Sequence, residues 1–131
     1  MYWVDDIVVP TKRCPWGGST GDGDFIYEGE DLSGAPFVFA IATAEGATPS
    51  KSVTNASAGS EGVSATYDGD YISEDTDAAV GATTIRVQID ETSMEALGAG
   101  TFVYDLLATP SGGLQRVICK GAFTIEAGVG D

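Results

Sequence analysis

Residues 84–127 read TIRVQI (84–89), DETSMEAL (90–97) and GAGTFVYDLLATPSGGLQRVICKGAFTIEA (98–127). In Thr101–Ala108 side chains alternate at period two, with Phe102, Tyr104 and Leu106 on one face and Thr101, Val103, Asp105 and Leu107 on the other. Aromatic and β-branched residues in that pattern fit a half-buried strand. Pro110-Ser111-Gly112-Gly113 supplies a turn, because proline presets one φ and glycine accepts the positive φ that closes a hairpin. Leu114–Cys119 returns, and Ala122–Ile125 continues beyond Lys120-Gly121, where the glycine predicts a bulge or bend. Ahead of the hairpin, Asp90–Leu97 is the one helical segment, capped by Asp90 or Thr92 and ended by Gly98. Being so short, it needs Met94 and Leu97 packed on a sheet to persist.

Outward from this stretch, Asp24–Glu28 predicts a first sandwich strand and residues 29–34 a turn. Pro36–Thr43 is apolar on both faces and predicts a central strand covered on both sides. A weaker strand is expected over Lys51–Asn55 and another over Val63–Tyr67. At 131 residues the chain fits one domain with a real core. Its 18 glycines and scarcity of helical pattern favour an all-β architecture.

The order of strand, helical turn, glycine and hairpin resembles small structural proteins of tailed bacteriophages. The nearest pattern is the immunoglobulin-like domain at the N-terminus of baseplate upper proteins and of related tail or neck accessory proteins. The matching residues are Ala96, Leu97, Gly100, Thr101, Phe102, Tyr104, Asp105, Leu106, Thr109, Gly113, Lys120, Gly121, Phe123, Ile125 and Val129. Gly23-Asp24-Phe25 is similar to the family's early GDxF strand, and Asp31-Leu32-Ser33-Gly34 to its DLTG turn. The likeness spans roughly Asp22 to Val129. The chain departs from it at Asp22, where the family carries a basic residue, and its first twenty or so residues have no counterpart. The resemblance implies an immunoglobulin-like antiparallel β-sandwich of about seven strands over residues 22–131; before it, Tyr2-Trp3-Val4 and Ile7-Val8-Val9 read as a short strand or an extended N-terminal arm, followed by a loop, over 1–21. It implies a structural part of the virion, assembled in the host cytoplasm, in contact with other virion proteins and arranged as a homo-oligomer or ring. A capsid-decorating or head-fibre protein is the alternative within the same setting.

Tyr2, Trp3 and Trp16 on that arm are the candidate partner contacts, since exposed aromatics anchor interfaces; the competing reading is that the tryptophans cover the domain's own sheet. A net charge of −14, from 20 acids against 6 scattered bases, argues against direct nucleic-acid binding. The start of the chain lacks the pattern of a signal peptide, and its longest apolar run is too short to span a bilayer, so no membrane association is expected. Cys14 and Cys119 read as buried thiols rather than a disulfide or metal pair.

Tyr67–Gly81 carries Asp68, Asp70, Glu74, Asp75 and Asp77. Asp68, Asp70, Asp75 and Asp77 form a candidate calcium set, weighed against a merely solvated acidic loop because no EF-hand spacing follows. The Asp22-Gly23-Asp24 pair reads the same way. No cofactor is expected. The chain has no histidine, which removes Ser-His-Asp and Cys-His schemes, and no phosphate loop follows the glycines of 17–23, so the expectation is that it is not an enzyme. A carbohydrate- or receptor-binding module, stacking sugars on Trp16, Tyr67 and Tyr71, remains the reading from another class.

Overall fold

The computed structural model describes residues 3–18 and 23–128. Met1, Tyr2, Asp22, Val129 and the side chain of Trp3 lie outside the described residues. The elements in order are β1 (Trp3–Val4), β2 (Ile7–Val9), β3 (Trp16–Gly17), β4 (Asp24–Glu28), β5 (Phe37–Ala42), β6 (Lys51–Thr54), β7 (Gly62–Asp68), β8 (Ala82–Ile89), α1 (Glu91–Leu97), β9 (Gly100–Ala108) and β10 (Arg116–Ile125). Two sheets pack face to face as an all-β sandwich with one short helix among the described residues. The first sheet runs β1-β10-β9-β5-β6, with β2 also on β10; the second centres on β8, which pairs with β7, β4 and β3.

The hairpin forms as its alternation dictates. Phe102, Tyr104 and Leu106 are buried in the core between the sheets, and Gly113 N–H donates to Pro110 O at 3.0 Å across a turn with Gly112 at φ 70°. The register break lies between Val117 and Cys119, however, and Gly121 pairs in register with Tyr104. Gly121 is needed for another reason: a Cβ there would strike the backbone carbonyl of Asp5 where the N-terminal segment crosses β10. Asp90 precedes α1 as expected, but its carboxylate does not cap the helix, because it accepts from Gln88 Nε2 at 2.9 Å. Thr92 lies inside the helix. Gly98, at φ 76°, ends it. Met94 is fully buried, the packing a helix this short requires.

Strand β5 is flanked by β9 and β6, with Phe37, Phe39 and Ile41 inward. Its other face, Val38, Ala40 and Ala42, is only half-buried, so the expected cover on both sides is incomplete.

The largest departure concerns residues 3–18, which are woven into both sheets instead of standing off as an arm. β1 and β2 run parallel to β10, pairing Trp3 with Cys119 and Ile7 with Phe123, whereas β3 pairs antiparallel with β8 through Trp16 and Ile89. Trp16 is 3% exposed. Its ring stacks on Phe39 at 5.7 Å and meets Phe123 edge-on at 5.1 Å, so a residue of one sheet fills the centre of the other. Phe25 and Tyr104 complete this aromatic centre. An indole that apolar gains more from burial than from waiting for a partner. Trp16 is therefore a core residue, not a docking anchor.

Polar ties close the ends of the sandwich. Arg116 on β10 reaches across to Tyr27 Oη at 2.9 Å and to Glu30 at 3.0 and 3.2 Å. Thr83 Oγ1 donates to Glu30 O and accepts from Leu32 N–H, both at 2.8 Å, which fixes the 30–34 turn on β8. Asn55 bonds Phe37 N–H and Ala35 O, anchoring the entry to β5.

Candidate functional site

A water-facing antiparallel sheet ordinarily carries polar residues on its outer face. The first sheet does so only at its margins, and its centre is largely apolar. Strand pairing sets its outward side chains in three rows: Ala42 beside Val103 and Ala122; Ala40 beside Asp105, Lys120 and Val4; Val38 beside Leu107 and Val117. Within these rows Asp105 and Lys120 interrupt the apolar character; Ser52 and Thr54 of β6 extend the Ala40 and Val38 rows with exposed polar side chains, and Thr101 faces Thr124 beyond the Val103 row. The small side chains of Ala40 and Ala42 leave a depression, and residues 43–50 fold beside it, held by Ala47 N–H on Ala44 O and Ser50 N–H on Ile41 O. The result is a groove of about 530 Å³ with Ala40, Ala42, Val103 and Val117 in its floor and Ala44 and Pro49 in one wall. Val4, 66% exposed, forms part of the opposite wall.

Three charges belong to the groove. Asp105 is half-buried in the floor, and burial pushes its carboxyl above the usual value against the opposing pull of Lys120. Lys120 Nζ stands 3.8 Å from Glu45 Oε1 on the wall, a loose and largely exposed pair worth little by itself. Chemically the groove offers an apolar surface with a carboxylate sunk in it, suited to holding a ligand or a neighbouring chain.

Beneath the groove, Tyr104 Oη donates to Asp5 O at 2.5 Å and lies 3.2 Å from Cys119 Sγ. Burial is the main force holding both the phenol and the Cys119 thiol in their neutral forms. Cys119 is a buried free thiol as expected, but Cys14, also free, is exposed.

The residues singled out from sequence fall elsewhere. In the 67–81 loop Asp70 N–H bonds Asp68 Oδ1 at 2.9 Å, and the loop closes through Val80 N–H on Tyr71 O and Asp77 N–H on Ser73 O. Asp75 N–H leans on Ser73 Oγ, and Asp77 takes a positive φ of 54°. Among the described residues no three His, Cys, Asp or Glu side chains converge to hold a metal, so Asp68, Asp70, Asp75 and Asp77 are not gathered into a calcium cage. Asp24 instead receives Arg86 at 2.8 and 3.1 Å across β4 and β8. The proposed stacking platform does not assemble either: Trp16 is in the core, Tyr71 is half-buried, and Tyr67, 42% exposed, lays its hydroxyl over Gly81.

None of the groove residues was chosen from sequence as a site. The signal is present in Pro36–Thr43, whose apolar character on both faces predicts cover by the chain's own fold. Comparison with protein-family models, curated proteins and solved structures finds no match to this chain.

Proposed function

We propose that this chain is a non-enzymatic structural component of a tailed-phage virion, a tail, baseplate or neck accessory protein that works by packing against neighbouring virion proteins. The observation that carries the packing role is the apolar patch at the centre of the first sheet's outer face, where Ala40, Ala42, Val103 and Val117 floor a groove. The virion assignment rests on the residue pattern of 96–129 and on the GDxF and DLTG segments, and with it the reading of the sandwich as immunoglobulin-like. Gly23-Asp24-Phe25 leads into β4, and Asp31-Leu32-Ser33-Gly34 forms a tight turn in which Ser33 N–H bonds Asp31 Oδ1 at 2.9 Å. An acidic protein of this kind stays soluble at high copy number and does not adhere to the genome by charge alone.

The test is proteomic and genetic. Particles purified from the encoding phage should contain the chain, and Val103→Glu should lower its incorporation while leaving the purified protein folded by circular dichroism. Particles that lack the chain altogether, formed normally in its absence, would overturn the reading.

A further inference from the structure

The groove's charge balance specifies what can cover it. Its floor and wall hold two carboxylates, Asp105 and Glu45, against one ammonium, Lys120. Asp105 lies between Ala40 and Lys120 in its row, so anything that covers the apolar floor also takes this carboxylate further from water. Burying a carboxylate under apolar atoms is unfavourable unless a cation arrives with them. Two carboxylates against one ammonium leave the groove with a surplus of negative charge.

A second copy of this chain is poorly placed to supply the balancing cation. Each copy carries a net −14, so two like-charged surfaces would have to approach each other. Four of the chain's six bases, Lys51, Arg86, Arg116 and Lys120, are already paired with a carboxylate of their own chain.

Resting on the packing role above, we propose that the groove receives an apolar segment bearing a lysine or arginine from a different protein, with that cation seated on Asp105. The aliphatic part of the segment fills the space above Ala40 and Ala42. Its cation restores the charge balance, and charge attraction also favours this partner over further copies of the acidic chain.

Two synthetic peptides test this by chemical-shift mapping on isotope-labelled protein at physiological salt: acetyl-Ala-Val-Ala-Lys-Ala-Val-Ala-amide and its counterpart with Glu in place of Lys. The Lys peptide should shift the amides of β5, β9 and β10 around the groove, and the Glu peptide should not. Asp105→Asn should weaken the Lys peptide by about tenfold or more. Asp75→Asn, the same charge change in the 67–81 loop, should leave it unaltered. Val103→Glu should abolish groove binding although it adds a further negative charge; mapping on the wild-type protein stands whether or not that variant folds. Equal binding of the Glu peptide, no shifts at all, or equal weakening by Asp75→Asn and Asp105→Asn would overturn the proposal. So would light scattering showing a dimer that Val103→Glu dissolves, since the occupant would then be a second copy. Detection of the chain in particles is independent of every one of these results, so the virion role and the groove's partner can fail separately.

Discussion

Asp105 is the residue whose titration should be visible in the stability of the whole protein. Its folded-state carboxyl titrates above the ordinary value because the floor around it is half-dry, with Lys120 only partly offsetting this. A raised acid binds its proton more tightly in the folded chain than in the unfolded one. Its contribution is therefore full below the unfolded value of about 3.8 and is lost as pH rises through the folded one. Asp105→Asn should accordingly be more stable than wild type at pH 7 in urea unfolding, with the gap closing below pH 4. Equal midpoints at pH 7 would show that the carboxylate suffers no net desolvation. Glu61 works in the opposite sense. Burial pushes its carboxyl up, but Lys51 at 2.9 Å, the Asp90 N–H at 2.8 Å and Ser93 outweigh this and hold it down, which ties β6 to the start of α1. Period two placed Asp105 on the outer face, but nothing in the sequence distinguished it from the other nineteen acids as the one sunk in a groove.

At the scale of elements, β10 is the hub: it pairs with β9 on one edge and carries β1 and β2 end to end on the other. The N-terminal ladder is interrupted at Asp5-Asp6, where Asp5 N–H bonds Lys120 O at 3.0 Å and Asp6 Oδ1 accepts from Ala122 N–H at 3.1 Å. Gly121 makes this close crossing possible. Gly121→Ala should push Asp5 away, costing about 1–3 kcal/mol and exposing the amides of 3–9 to hydrogen exchange while those of β9 stay protected. Unchanged exchange over 3–9 would mean that the backbone absorbs the methyl. The hairpin itself was legible because alternation and a Pro-Ser-Gly-Gly turn are local signals. The role of Gly121 was not, because the atom that demands a glycine lies 116 positions back along the chain.

For the molecule as a whole, residues 3–18 bind the sandwich together by contributing to both sheets. Deleting residues 1–18 removes Val9 and Trp16 from the core, and loss of a buried tryptophan alone costs about 3–5 kcal/mol. Set against a stability of about 5–15 kcal/mol for an ordinary domain, the truncated chain should be largely unfolded by circular dichroism. A free arm would leave it intact. Strands β4 to β10, the short helix, the inward faces of the hairpin and the all-β class can be read from the residues alone, because each is written in side-chain periods and turn residues a few positions apart. It took the folded chain to show where the N-terminal segment goes, that Trp16 is core, and that small outward residues of three strands meet in a groove around Asp105. Those outcomes depend on which distant surfaces come together, and a local pattern of polarity carries no record of its eventual neighbours.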